Sequence, residues 1–305
     1  MRPRLWTLLW LATLLAPLAA RAQLPPLLRL GAQYVGGSDV PGQSSLRAQV
    51  SSYDVSASIP VALGGSTYLL PGFTYHAESV SYEGAPAEFA QIRALHALDG
   101  TLLLTTAIAD RWRVSIRGAV GLAGDLAAID SGALRFNAMA MGSYSPGPWF
   151  VVGVGASVGI AFGELRPIPL LYLKWRPVRA LRIEATVPIA AEVTALLGDR
   201  FELGAFSDLS GNDYAIRNAA VRQDATCIAR SAECLDHLST FVVTVGAVAR
   251  LRLFSTVWLS VSGGPTLWRR FERKGQDSRV LPGGGRDLPG EFAIRSGIVW
   301  RLPGT

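Results

Sequence analysis

The sequence predicts an all-β chain closed into an antiparallel transmembrane β-barrel, and three observations predict it. Apolar and polar residues alternate with a period of two along most of the chain. The alternating stretches run for about 10–14 residues, roughly twice the length of a strand in a soluble domain. Half of the 305 residues are hydrophobic and only 17% are charged, yet beyond the N-terminus no apolar run approaches the ~18 residues of a spanning helix. A chain this apolar needs a surface on which to place its side chains, and the lipid-facing wall of a barrel supplies one.

At the N-terminus, Met1 to Arg4 is basic, Leu5 to Leu18 is apolar, and Ala20-Arg21-Ala22 gives a small-x-small pattern before Gln23. These features read as a signal peptide over 1–22, with 23–305 a single barrel domain. A membrane anchor is the plain alternative, but the apolar run is short for a span and lacks a stop-transfer flank. The mature chain is therefore expected in the outer membrane, after export through the inner one. Its partners are then the lipid bilayer and the machinery that inserts barrels. Removing Arg2, Arg4 and Arg21 leaves 26 basic against 23 acidic residues, too slight an excess to attract nucleic acid.

The strands follow from the alternation. Tyr53, Val55, Ala57 and Ile59 oppose Ser52, Asp54, Ser56 and Ser58; Phe73, Tyr75 and Ala77 oppose Thr74, His76 and Glu78. Trp112, Val114 and Ile116 oppose Arg113, Ser115 and Arg117, and the pattern recurs over Leu134–Tyr144, Leu181–Val193, Phe241–Leu253, Val257–Leu267 and Phe292–Trp300. A β-sandwich would alternate too, but strand length and mid-strand Arg, Glu and Asn favour a barrel with a wet lumen.

Connections set the strand number. Tight ones are expected at Ala62–Ser66, Asp110-Arg111, Ser145–Pro148, Arg176–Arg179, Leu209–Asn212 and Phe254-Ser255. Longer ones are expected at Gly36–Gln43, Ser79–Gln91, Ala123–Gly132, Gly163–Pro167, Leu196–Asp199, Gln223–Leu238 and Arg269–Gly290. Their alternation gives about 14 strands with both termini on the short-turn side, 12 being the next count. Trp112, Trp175 and Trp300 lie on the apolar phase near that side, as an interfacial girdle would. Trp149 and Trp258 fall out of phase. Cys227 and Cys234 stand close together in a polar stretch of an exported chain, which suits a disulfide in an extracellular loop.

The stretch Ile168-Pro169-Leu170-Leu171-Tyr172-Leu173-Lys174-Trp175-Arg176-Pro177, with Leu181 to Pro188, Phe201 to Phe206 and Asn212 to Arg217 after it, resembles an uncharacterised family of Gram-negative outer-membrane β-barrels, a domain of unknown function. The resemblance implies fold and membrane; it brings no substrate and no catalytic residue. One departure is the C-terminus, where Trp300 is followed by Arg-Leu-Pro-Gly-Thr in place of a final aromatic residue.

Chemistry is sparse. There is no Gly-x-Ser-x-Gly elbow, no zinc-type His-x-x-x-His and no phosphate loop, so neither an enzyme nor a cofactor is expected, and no metal. His76 beside Glu78 is the best acid–base pair, read more simply as a lumen histidine satisfied by its neighbours. His96 is taken to be placed similarly, and His237 lies near the cysteines. The remaining functional surface is the polar phase of the strands: Arg113, Arg117, Arg135, Asn137, Lys174, Arg182, Glu184, Glu192, Glu202, Arg250, Arg252 and Arg295. If these line an open lumen, the protein is a porin-like passive pore for small polar or anionic solutes. If they pair across strands, it is a closed barrel acting through its long loops.

Overall fold

The computed structural model describes residues 26–301 apart from 41–42, 84–93, 160–165, 223–233 and 277. The expected signal peptide and Cys227 therefore lie outside the described residues. Sixteen strands follow one another: β1 (Leu28–Val40), β2 (Gln43–Ser58), a short β3 (Val61–Gly64), β4 (Thr67–Glu83), β5 (Ala94–Ala109), β6 (Trp112–Gly124), β7 (Leu134–Gly147) and β8 (Phe150–Gly159), then β9 (Arg166–Val178), β10 (Leu181–Val187), β11 (Ala190–Leu197), β12 (Phe201–Ala215), β13 (His237–Arg252), β14 (Val257–Lys274), β15 (Val280–Leu288) and β16 (Phe292–Trp300). A 3-10 turn, Ser131–Ala133, precedes β7.

Setting aside β3 and β15, which are appended to β4 and β14, 14 strands pair antiparallel in a ring. The ring closes where β16 pairs β14 on one side and β1 on the other, from Leu28↔Trp300 to Val35↔Ala293. Closure is what lets the wall cross a membrane, because each of the 14 strands has a neighbour on both sides for at least part of its length. Exposure alternates along the strands: on β16, Phe292, Ile294 and Ile298 are exposed and Ala293 and Val299 buried. On β5, Leu98 and Leu102 are exposed and Leu95, Ala97 and Thr105 buried. A belt of this size facing water would be a severe liability; facing lipid, it is the solvated surface.

The tight turns other than Pro188-Ile189 share one end. Asp110-Arg111, Pro148-Trp149, Arg179-Ala180 and Gly198–Arg200 sit there, tied around the rim by Ser145 N to Arg111 O (2.8 Å), Arg176 N to Trp149 O (2.8 Å) and Arg252 N to Arg200 O (2.7 Å). Leu28 and Trp300 are at the same end, the periplasmic one in barrels of this type. Trp112, Trp175 and Trp300 are exposed on the outer phase at that end. Trp149 occupies a turn, which accounts for its phase.

Several stretches differ from the sequence reading. Gly36–Gln43, expected as a long connection, is strand as far as Val40 and again from Gln43, with pairing from Ser38↔Ala48 to Val40↔Gln43. Leu209–Asn212 is no turn: it runs through the middle of β12, whose register with β13 is unbroken from Phe201↔Leu251 to Ala215↔His237. Ser210, Gly211 and Asn212 favour a turn locally, and continuous pairing overrides that preference. Leu181–Val193, expected as one strand, is instead the hairpin of β10 and β11, broken at Pro188, which has no N–H for the ladder. Leu196–Asp199, expected as a long outer connection, leads into the tight periplasmic turn at Gly198, whose φ of +67° suits glycine. Arg269–Gly290 is no open loop; it carries the upper half of β14 and its pairing with β15. One strand gained and one lost leave the count at 14.

Above mid-height the wall leans inward. The β13–β14 register changes between Val243 and Thr244 and skips Val245 and Gly246. A Cβ on Gly246 would lie 2.1 Å from Gly263 O, and one on Gly264 2.0 Å from Val245 O, so the two backbones approach more closely than any side chain permits. Beyond this bend β12 reaches β6, a strand far from it around the ring, in a parallel bridge between Ala215 and Gly124. The contact divides the mouth. On the β1–β6 and β12–β16 side the upper interior is a dry core that includes Val35, Val50, Val80, Leu95, Tyr214, Ile216 and Leu238.

Candidate functional site

Strand pairing places all the polar candidates on the interior phase, and their surroundings sort them into groups. On β10 to β13, Arg182 binds Glu202 at 2.9 Å, Arg250 binds Glu192 at 2.5 Å and Glu202 at 3.3 Å, and Arg301 approaches Glu202 at 3.8 Å. Thr194 donates to Glu192 at 2.6 Å. Glu202 is buried, and carboxylates in such a site are tolerable only with this many donors. Nearby, Tyr172 donates to Glu184 at 3.3 Å, and Lys174 stands opposite Glu184 in the register.

A second group crosses the lumen. Arg135 of β7 donates Nε to Asp99 of β5 at 2.7 Å, pairs with that carboxylate again through its terminal nitrogen, and reaches Asn212 of β12 at 2.8 Å. Arg295 of β16 binds Gln33 at 2.7 Å and Asp208 of β12 at 3.3 Å. His76 lies between Asp54, 2.6 Å from Nδ1, and Glu78, 3.0 Å from Nε2. Both partners only accept, so both contacts are hydrogen bonds when the ring carries two protons. That arrangement is a strut, with neither nitrogen left to take a proton from a substrate. Asp54, Asp99, Asp208 and Gln33 did not emerge from the sequence as partners, because what selects them is register between strands distant in the chain.

His96, taken as a lumen residue, stands on the outer phase with Leu98, where its Nδ1 lies 2.9 Å from the Tyr75 hydroxyl. His237 belongs to a cap over the mouth. Its Nε2 lies 3.1 Å from Gly132 O and its Nδ1 2.9 Å from Asp236. In the same cap, Arg217 binds Asp130 at 2.6 Å and Asp236 at 2.9 Å, while Asp125 accepts from the Arg217 and Asn218 amides at 2.8 Å each. The Arg217 hydrogen bond holds the Asp130 carboxyl below the usual carboxylate range.

The third group lines the β6–β9 wall. On β6 to β8 its interior phase carries Ser115, Arg117, Ala119, Met139, Met141, Gly153, Gly155 and Ser157, with Arg113 and Val151 below and Asn137 above, and on β9 the larger Ile168, Leu170, Tyr172 and Lys174. The β6–β8 side chains are mostly short or pliant, and Arg117 extends from them into solvent-accessible space with no ion pair among the described residues. Arg252 lies lower, its guanidinium 5.7 Å from the centroid of Trp258, with Arg301 at 5.4 Å. Trp258 thus faces inward as the floor of the lumen, which explains its phase. Among the described residues no cluster of His, Cys, Asp and Glu could hold a metal ion.

The profile of the domain of unknown function DUF6268 matches residues 75–277, about two thirds of the chain. The chain belongs to this family. No curated protein matches it. Among solved structures, this DUF6268 barrel is similar to the NanC porin at 12% identity and a TM-score of 0.38, over 90% of this chain and 100% of that one. An outer membrane channel from Pseudomonas putida F1 matches at 9% identity and a TM-score of 0.43, over 91% and 97% of the two chains. A deletion mutant of the TodX monoaromatic hydrocarbon channel matches at 11% identity and a TM-score of 0.45, over 93% and 92%. At such identities the likeness is one of general barrel shape.

Proposed function

We propose that this DUF6268 protein is a passive outer-membrane channel for small polar or anionic solutes, its path confined to the β6–β9 side of the lumen. The observation that carries the proposal is Arg117, extended into accessible interior space from a wall of glycine, alanine, serine and methionine. An arginine without a carboxylate partner raises the local concentration of anions, and a narrow lumen strengthens the effect. Arg135, Arg182, Arg250 and Arg295 are engaged by carboxylates and contribute rigidity instead of selectivity. In this reading the leader directs export, insertion machinery folds the barrel into the outer membrane, and Cys227 and Cys234 are bonded in the outer cap.

Planar-bilayer recording of the refolded protein tests the proposal. Discrete steps with a weak, salt-screened anion preference are expected, and Arg117→Gln should lower the anion-to-cation ratio while Arg135→Gln leaves it unchanged. A second reading rests on the dry upper core and on Arg135 and Arg295 bridging the lumen: a closed barrel that acts through its outer hairpins. A folded barrel that is silent in the bilayer would overturn the channel and establish that alternative.

A further inference from the structure

The β10–β11 hairpin is too short to span a membrane. Its strands have seven and eight residues, against 13 in β9 and 15 in β12 on either side. At about 3.3 Å per residue and a tilt near 40°, seven residues climb about 18 Å, roughly 7 Å less than the apolar band of such barrels. The last pairs are Val187↔Leu171 toward β9 and Ala190↔Asp208 toward β12. A last bond runs from Leu209 N to Ile189 O (2.8 Å); beyond it β9 continues up to Arg166 and β12 to Ala215, each paired only on its far side until Ala215 meets Gly124. Among the described residues, then, the wall has a notch facing the outer leaflet.

The sequence of the notch edge matches an opening. Arg176 N donates to Trp149 O, toward β8. The β8–β9 register is regular from there to Arg166, so the amides of even-numbered residues turn to β8 and those of odd-numbered ones away from it. Two odd positions in the stretch that stands clear of β10 are Pro167 and Pro169, both exposed. Proline brings no N–H, so two donors that hydrocarbon would strand have been removed at the edge where no strand satisfies them. The outer rim is apolar, with Leu171 and Val187 exposed. Just inside, on the interior phase, stand Thr186, Glu184 and Tyr172.

The geometry points to a lateral window over the β10–β11 hairpin, through which a single-chain amphiphile passes between the outer leaflet and the lumen. Its hydrocarbon tail stays with Pro169 and Leu171 on the β9 side of the rim, and its polar head passes over Thr186 and Tyr172. This function goes beyond the aqueous channel: that path runs through the ends of the barrel, and this one through its side.

Photocrosslinking separates the two. Thr186 is replaced by p-benzoylphenylalanine, and the full-length barrel is refolded into vesicles of phosphatidylethanolamine and phosphatidylglycerol. The same replacement at Val187, on the outer phase, marks contact with lipid; at Ala119, on the interior phase of the unbroken β6 wall, it marks seclusion from lipid. Folding of each variant is checked by heat-modifiable gel mobility. Irradiation is expected to give lipid adducts at Thr186 and Val187 and none at Ala119, and added lauric acid should displace the adduct at Thr186 while sparing Val187. A Thr186 variant that behaves like Ala119 would overturn the window, and equal effects of lauric acid at Thr186 and Val187 would overturn passage of the amphiphile. Neither readout requires ion conduction, so a silent bilayer and a missing window remain separate results.

Discussion

Glu202 illustrates how charge is held inside this barrel. It is 3% exposed and faces Arg182, Arg250 and Arg301, so its charge is stabilised only by being shared among guanidinium groups. Glu202→Gln leaves those cations without their common partner and should destabilise the folded barrel by about 3 kcal/mol, read from the urea dependence of unfolding from vesicles. Glu184→Gln, at an exposed position, should change stability far less. Asp130 makes the opposite case, outside the membrane. Its carboxyl is held below its ordinary value of 3.8, first by the hydrogen bond from Arg217. A lowered carboxylate contributes attachment that is complete above that ordinary value and lost as pH falls through the lowered one. Hydrogen exchange over Ile216–Asn218, corrected for intrinsic rate, should therefore show the cap protected at pH 6 and loosened near pH 3. Asp130→Asn should remove most of the difference.

At the scale of elements, hairpin length decides where the barrel is tall and where it is low. Pro188 ends β10 early and leaves β12 to continue alone against β13, and the glycines at the β13–β14 bend direct that taller wall across the mouth. The cap is held by what this wall carries: Ile216 and Leu235 in the dry core and Arg217 among its carboxylates. Cys234 is buried beside Leu235, and a bond to Cys227 would close a loop of six intervening residues. Mass spectrometry of the unreduced protein should find one Cys227–Cys234 bridge. Its reduction should loosen the cap and leave the barrel's own unfolding transition in place, because no wall strand depends on it.

For the whole molecule, the governing fact is that two faces of one sheet meet different solvents. Ile116 is exposed on the outer phase of β6, and its neighbour Ser115 faces inward, hydrogen-bonded to Thr105 at 3.0 Å. Ile116→Arg places a charge in lipid and should cost about 2–4 kcal/mol near mid-membrane. Ser115→Arg, one residue away, should fold almost as well as the parent. The yield of heat-modifiable barrel after refolding into vesicles checks both.

The alternation of Phe292 to Trp300 or Trp112 to Ile116 needs no tertiary information: side chains on a strand point to opposite faces, and a sheet between lipid and water must sort them. That sorting made the closed barrel and the interior phase of Arg117 and Glu202 legible from the chain alone, whereas the count of 14 came from the connections, where a missed hairpin and a turn read too many offset each other. Boundaries were less legible. Ser210-Gly211-Asn212 looks like a turn and Leu181–Val193 like one strand, since local preference knows nothing of the partner strand that settles each case. Which arginines are neutralised was not legible at all. Arg117 and Arg135 carry the same charge on the same phase of adjacent strands, and one meets Asp99 and Asn212 while the other meets solvent. Ion pairing acts over a few ångströms between residues many tens of positions apart, so only the register and curvature of the closed sheet decide it.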